Sequence, residues 1–290
     1  MPDAYLIQCH DRPHQVNALA QYLADGGHDV FIHVDARSAI GHLIRQTGSI
    51  TLVRHPCAVD WGGWTQAEAT LKMIEEARQT GRTYRYFHLL SGHCLPLRSM
   101  AALDAILDEA HAGQAQFIEC EPMPRTHWGQ RDGGMHRLRV YYPSFIVSKH
   151  TRLHQDFFWF YTNQWMRLKL RRPAFRSGDR FYGGAQWFSL TGEAMDAAVS
   201  CMNSHRRLVR FFKNTFCSDE MFFQTCLMRS GFPVHAVGNR RYLQWPFENA
   251  PSPKDLTPED WQTARDSGCL FGRKFQLSHV ECSRYFSSLT

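Results

Sequence analysis

AYLIQCHDRPHQVNALAQYLADGGHDVFIHVD, running from Ala4 to Asp35, decides the fold. Ala4–Cys9 is a short, almost wholly apolar run and reads as a strand buried on both faces. His10-Asp11-Arg12-Pro13 follows as a turn. Val16, Leu19, Ala20 and Leu23 recur at helical spacing, and Gly26-Gly27 ends that helix. Val30–Val34 is a second apolar run, stopped by Asp35. Beyond it, Ile40–Gln46 reads as helical and Ile50–Val53 as a third strand. A β-α-β-α-β order predicts an α/β fold with a mostly parallel, Rossmann-like central sheet flanked by helices. Ligands of such sheets sit at the carboxyl ends of the strands, which singles out His10, Asp35 and the segment after Val53.

That segment, Val59-Asp60-Trp61-Gly62-Gly63-Trp64, breaks regularity and launches a helix from Thr65 to about Gln79. Tyr84–Leu90 is a fourth strand with a polar loop, Ser91–Pro96, at its end. Ser99 caps a helix through His111, and Gln116–Cys120 is a fifth strand from whose end Glu119 and Glu121 project. Residues 122–182 then turn basic and aromatic, with Arg125, His127, Trp128, Arg131, His136, Arg137 and Arg139 in one loop region. Phe157–Pro173 is a candidate amphipathic helix that ends in Arg167, Lys169, Arg171 and Arg172. It reads either as a core-packed helix with a solvated basic end or as a peripheral membrane or lipid-linked-acceptor contact. Gly183-Gly184 releases a strand, Ala185–Leu190, and Thr191 caps the next helix. Short strands at Val234–Val237 and Tyr242–Trp245, a loop with Pro246, Pro251 and Pro253, and a helix from Thr257 to Ser267 complete the pattern. No repeat, low-complexity segment or linker divides it, which predicts one domain over residues 1–290.

Phe216–Ser230 is the stretch where chemistry is expected. Ser218 is a good helix N-cap, Asp219 and Glu220 fall in a first turn, and Phe222, Phe223, Cys226 and Leu227 form a buried face. Glu220 lies at the edge of that packed helix, where a general base could work. The plainer reading is that both acids merely complement the helix dipole. Near the C-terminus, Leu270-Phe271-Gly272-Arg273-Lys274-Phe275 frames two adjacent cations with aromatics. Such a pair could neutralise a diphosphate without a metal, or be a solvated basic turn.

Of 290 residues, 43% are hydrophobic and 21% charged, as in an ordinary folded protein, and the net charge of +6 suits an anionic ligand or surface. No apolar run approaches the roughly 20 residues that cross a bilayer, and no signal peptide is apparent. Nine cysteines without C-x-x-C pairs fit reduced, buried thiols in a cytosolic protein. A P-loop, a G-x-G-x-x-G turn, a G-x-S-x-G elbow, HExxH and a metal-holding D-x-D are all missing, with Glu119-x-Glu121 the nearest mimic of the last. Sixteen histidines invite a metal hypothesis, but the pairs His10/His14 and His150/His154 lack a Cys or carboxylate at ligand spacing and read as surface histidines. A nucleic-acid or polyanion binder is the competing class, but no regularly spaced basic helix supports it.

Six blocks together carry a resemblance: Ile32–Asp35, Asp60–Trp64, Leu89–Leu97, Gly183–Leu190, Ser218–Thr225 and Leu270–Phe275. In this order they resemble the core-2/I-branching β-1,6-N-acetylglucosaminyltransferases, a family that includes the peptide O-xylosyltransferases (glycosyltransferase family 14). The resemblance runs collinearly from Tyr5 to Phe275. It implies a GT-A-like, inverting glycosyltransferase that uses a UDP-sugar and no metal, with residues 1–121 mainly binding the nucleotide-sugar and 122–290 mainly the acceptor. Glu220 matches the family's catalytic base. Arg273 and Lys274 match the cations on the departing diphosphate, and Asp35, His10, Asp60 and Trp61 fall at the nucleotide-sugar site. Glu119, Trp245, Phe247, Gln186 and Trp187 fall on the acceptor side.

The chain departs from the family's pattern in places. His127 and Gln130 stand where the animal enzymes carry basic acceptor ligands, and Gln186 where xylosyltransferases carry Asp. Lys254 is the loose candidate for a further diphosphate cation, a role Arg273 could take. Membrane anchor and disulfide cysteines of the Golgi members are missing, which suggests a cytoplasmic, bacterial-type relative at the inner face of the cell membrane. The resemblance thus implies a UDP-sugar donor, a glycan or lipid-linked glycan acceptor, no cofactor and no nucleic acid. A non-catalytic glycan- or polyanion-binding protein of the same fold is the alternative.

Overall fold

The computed structural model describes residues 1–126, 128, 132–147, 152–168, 170, 172, 180–247 and 252–289, without the side chains of 152–155. His127, Gln130, Arg131, the His150/His154 pair, Lys169, Arg171, Pro173 and Pro251, all named from sequence, lie outside the described residues or side chains.

The strands are β1 Ala4–Cys9, β2 Asp29–Val34, β3 Ile50–Leu52, β4 Tyr86–Ser91, β5 Leu95–Pro96, β6 Ala115–Gln116, β7 Glu121–Pro122, β8 Tyr182–Gly183, β9 Ser189–Thr191, β10 His235–Ala236, β11 Arg241–Leu243 and β12 Phe271–Arg273. The helices are α1 Pro13–Asp25, α2 Trp64–Gln79, α3 Met100–Ala112, α4 Met135–Arg139, α5 Ser144–Val147, α6 Arg152–Arg167, α7 Gly192–Ser204, α8 Arg206–Phe212, α9 Phe222–Arg229, α10 Trp261–Asp266 and α11 His279–Ser287.

The central sheet has five strands in the order β3-β2-β1-β4-β9, parallel except for β9. Alternation along each strand feeds two cores. Ala4 and Leu6 of β1, Phe31 of β2 and Leu89 of β4 point into one, with Met73 of α2, Met195 of α7 and Phe222 of α9. Tyr5, Ile7, Val30, Ile32 and Leu90 point into the other, with Leu19 of α1, Leu103 of α3 and Tyr285 of α11. Burial on both faces is why these strands are nearly continuous in apolar residues. The architecture is a mixed α/β domain with a mostly parallel sheet flanked by helices, consistent with a GT-A-like fold.

Local signals were met at α1, where Pro13 takes the first helical position and Gly27 (φ +85°) ends the helix. They were also met at α3 and α7, where Ser99 and Thr191 accept from Ala102 and Ala194. Three expectations fail. Ile40–Gln46 holds only a single 3-10 turn, Gly41–Leu43, and no helix. Gln116–Cys120 is not a full strand of the main sheet: Ala115–Gln116 is extended and pairs with β10, and only Phe117 touches the main sheet, as a single antiparallel bridge to Ser189 of β9. The fifth strand is instead Ser189–Thr191, later in the Gly183-Gly184 segment than the apolar run suggested.

Two small sheets shape the ligand edge. β12 pairs with β5 and β11, which returns Arg273 to the carboxyl end of β4. β7 pairs with β8, tying Glu121–Pro122 to Tyr182–Gly183 and closing the base of the basic aromatic excursion.

Candidate active site

Four consecutive residues, Gly184 to Trp187, form the spine of the site. The N–H of Gly184 donates to the carbonyl of Glu220 (2.9 Å). The N–H of Ala185 donates to Glu119 Oε2 (3.2 Å), and its carbonyl accepts from Gln224 Nε2 (2.9 Å). Gln186 Nε2 donates to Gln8 Oε1 near the end of β1 (3.3 Å). The Trp187 ring lies under the Arg273 guanidinium, 4.3 Å from its centroid. One short segment, Gly184 to Trp187, thus reaches the Glu220 turn, the Glu119 carboxylate and the C-terminal cations.

Ser218–Glu220 is a 3-10 turn entered through Cys217 in the left-handed region (φ 48°), and α9 begins only at Phe222. Ser218 therefore does not cap the helix, and its hydroxyl is buried without a hydrogen bond. The apolar face is as expected, with Phe222, Phe223, Cys226 and Leu227 buried. The two acids have different surroundings. Glu220 is half-buried and accepts from Arg137 Nη1 at 2.5 Å. Asp219 is buried; desolvation first and the charge of Glu220 second push its carboxyl up to about 8. The Asp60–Trp64 loop backs this turn: Cys217 N donates to Gly62 O (2.7 Å), and exposed Trp61 meets Phe216 edge-on at 5.8 Å.

Glu119 is fully engaged. Oε2 also accepts from Arg125 Nη2 (3.2 Å), and Oε1 accepts from Asn239 Nδ2 (2.7 Å). Arg125 also reaches Glu121 (3.0 Å). Both Arg125 and Arg137 lie over Trp128, at 4.9 and 4.2 Å from the ring centroid. Sequence composition had flagged this basic aromatic region without assigning it to the site, and nothing local to Asn239 pointed to Glu119, 120 positions away.

The cation pair is not a solvated turn. Phe271 and Phe275 are fully buried on either side of it, and burial holds Arg273 below the usual guanidinium range. Lys274 is held below the usual ammonium range by burial and then by the charge of Arg273. Its Nζ donates to Ser252 Oγ at 2.7 Å. Lys254 is engaged elsewhere, in an ion pair with Asp260 at 2.9 Å.

At the ends of β1 and β2 stand His10 and Asp35. Asp35 accepts from Arg37 N (2.8 Å) and Val59 N (3.1 Å). Burial raises its carboxyl, but the Arg37 and Val59 bonds outweigh it and hold the group below the usual range. Arg37, which sequence reasoning missed, bridges Asp35 to Asp60, at 3.0 and 3.1 Å. His10 has spatial neighbours that its sequence spacing hid: ligand atoms of His10, Asp11 and His93 lie within 4.8 Å of one another, a grouping that could hold a cation. His93 and Asp11 are hydrogen-bonded at 2.8 Å. Trp245 and Phe247 are exposed, 52% and 64%, whereas Trp187 is 7% exposed and carries Arg273.

Such an arrangement offers a carboxylate with a charge partner, a second, rigidly held carboxylate, two cations beside a sheet's ligand edge, and exposed aromatic rings. A model of one protein family, described as Core-2/I-Branching enzyme, matches residues 4–265, which include Glu220 and Glu119 and stop short of Arg273 and Lys274. No curated protein matches the chain significantly.

Proposed function

The chain belongs to the Core-2/I-Branching enzyme family and is thereby a glycosyltransferase, and from that premise we propose inverting, metal-independent transfer from a UDP-sugar to a hydroxyl of a glycan or glycoconjugate acceptor. The family makes N-acetylglucosamine the first donor to test, with xylose and glucuronic acid after it. One observation carries the reading: Gly184 to Trp187 touches the Glu220 turn, Glu119 and Arg273 in succession.

In this reading Glu220 takes the acceptor proton while the oxygen attacks the anomeric carbon from the face opposite the leaving group. Arg273 and Lys274 stabilise the negative charge that gathers on the departing UDP. Glu119, with both oxygens already oriented, fixes the acceptor, and Trp245 and Phe247 supply faces for its C–H bonds. Asp35, His10, Asp60 and Trp61 border the nucleotide. Fixing both substrates makes the displacement effectively unimolecular.

Thermal stabilisation across a panel of UDP-sugars, followed by donor hydrolysis and transfer assays, tests the proposal. Stabilisation and turnover by one donor are expected. Stabilisation without any turnover would favour the non-catalytic glycan-binding alternative, and stabilisation by none would reject the donor class.

A peripheral membrane contact is a second reading, favoured by α6. Phe157, Trp159 and Phe160 are 47%, 46% and 59% exposed, with Arg167 exposed at the same helix's end, instead of packing into a core. It would seat the enzyme beside a lipid-linked acceptor on the cytoplasmic face, a compartment in which its nine free thiols would stay reduced. Among the described residues no helix is long and apolar enough to cross a membrane.

A further inference from the structure

The Glu220 carboxylate is not left to solvent. Arg137 donates to it at 2.5 Å from α4, while its own guanidinium rests on the Trp128 ring. Trp128 in turn fits only because two glycines leave room: a Cβ on Gly134 would lie 2.5 Å from its ring, and one on Gly183 would lie 2.8 Å away. Arg137 is 16% exposed, and its Nε is buried without a partner. A largely desolvated ion pair often stabilises a fold no more than apolar packing of the same size would. Stability alone therefore does not account for a cation at this position.

We propose that Arg137, steadied by Trp128, is a positioning residue for sugar transfer: it holds the Glu220 carboxylate aimed before the acceptor arrives. The proposal rests on the reading of Glu220 as the base. As the acceptor oxygen bonds to the anomeric carbon, the carbon–oxygen bond to UDP breaks and the hydroxyl proton moves to Glu220. That leaves Arg137 facing a neutral acid, which favours release of the proton to water and resets the base.

The other groups facing Glu220 do not supply this charge. Its own turn brings Asp219 and Cys217, both of which favour cations around them. Behind Arg137 lie His136 and Asp132, paired with each other at 3.1 Å, and Tyr142, raised by burial. α2, which packs on the turn, carries Glu68 and Lys72, paired at 4.0 Å. The strand side offers Gly184 backbone, and α9 presents the amide of Gln224. Arg125, the remaining nearby guanidinium among the described residues, is committed to Glu119 and Glu121.

The split between kcat and KM in Arg137→Gln and Arg137→Lys tests the idea, with stabilisation by UDP as the measure of an intact donor site. In Arg137→Gln kcat should drop at least about tenfold while donor KM and the response to UDP stay near wild type, because the base is no longer aimed. Arg137→Lys, which keeps a cationic donor, should recover part of that loss. Trp128→Phe should lower kcat in the same way by less, and it decides the matter if Arg137→Gln no longer responds to UDP. A wild-type kcat in the Gln variant, or in Trp128→Phe when that variant decides, would overturn the proposal. Transfer surviving in Glu220→Gln would instead remove the base assignment beneath it.

Discussion

Gly184 passes so close to Glu119 that a Cβ on it would lie 1.9 Å from the Glu119 carbonyl oxygen. The same residue donates its N–H to Glu220. Its glycine is required by this approach, not by an unusual φ. Gly184→Ala should therefore push residues 119 and 184 apart and spoil the spacing of the two carboxylates. Overpacking of this kind costs about 1–3 kcal/mol, and a fall in melting temperature with loss of most turnover is expected. An Ala variant with wild-type melting and rate would show that the backbone yields easily here.

Glu220→Gln keeps the shape of the side chain and its contact with Arg137 in part, but cannot accept a proton. General-base removal typically costs 10²–10⁴-fold, so transfer should fall by roughly that range while UDP still stabilises the fold. Initial rates alongside thermal shift make the comparison. Near wild-type turnover would place the base elsewhere.

The sheet was legible because strands buried on both faces are written as short apolar runs, as in Ala4–Cys9 and Val30–Val34, and those signals are local. Ile40–Gln46 misled for the same reason: its apolar residues lie at helical spacing, yet only Gly41–Leu43 turns. Ser218 looked like a cap because Ser-Asp-Glu is good cap chemistry, but Cys217 enters the left-handed region and spends those residues on a 3-10 turn. Glu119, Glu220 and Arg273 could be named from motifs. Their partners could not, because Asn239, Arg137 and Trp187 meet them across 120, 83 and 86 positions. The His10–Asp11–His93 cluster escaped likewise, since His93 arrives from the end of a different strand.

Lys274 pairs an ammonium with a buried guanidinium neighbour and, among the described residues, makes no ion pair with a carboxylate, so an anion should bind there strongly. A hydrogen bond to a charged group contributes about 1.5–3 kcal/mol, so Lys274→Ala should weaken UDP roughly 10- to 150-fold. Burial and Arg273 both depress the Lys274 ammonium. The cation is present below that lowered pKa and lost above it, so UDP affinity in the wild type should decline toward alkaline pH sooner than an exposed lysine would allow. Calorimetric titrations across pH would detect this. Equal affinity in wild type and variant would remove Lys274 from the donor site.

If Arg273 and Lys274 hold the departing diphosphate as proposed, they take the place of a divalent ion. EDTA should leave initial rates unchanged, and added Mn²⁺ or Mg²⁺ should not raise them. If chelation abolished turnover and a metal restored it, His10, Asp11 and His93 would be the group to mutate, because their ligand atoms already converge within 4.8 Å.

Asp219 gives a prediction about stability. Its carboxyl titrates near 8 in the folded chain, for want of solvent and because of Glu220, against about 3.9 for an unperturbed Asp. The folded state therefore holds the proton more tightly than the unfolded one. The resulting stabilisation is complete at acid pH and is lost as pH rises, by about 1.4 kcal/mol per unit for one proton, until Asp219 ionises near pH 8. Asp3 acts in the opposite sense: burial raises its carboxyl, but bonds from His88 and Arg85 outweigh that and hold it well below the usual range, so its contribution fades only in acid. Between pH 6 and 8 Cys201 acts as well: a hydrogen bond with Cys226 pulls its thiol down to about 6, which adds stability as pH rises. Asp219 is therefore read from the difference between wild type and Asp219→Asn. Across that interval the wild type should lose stability relative to Asp219→Asn, which is neutral at every pH, so the two unfolding free energies diverge toward alkaline pH. Denaturant melts at half-unit steps measure that divergence. Parallel curves would mean that Asp219 is already ionised in the folded protein, with a counter-charge closer than Arg137 supplies.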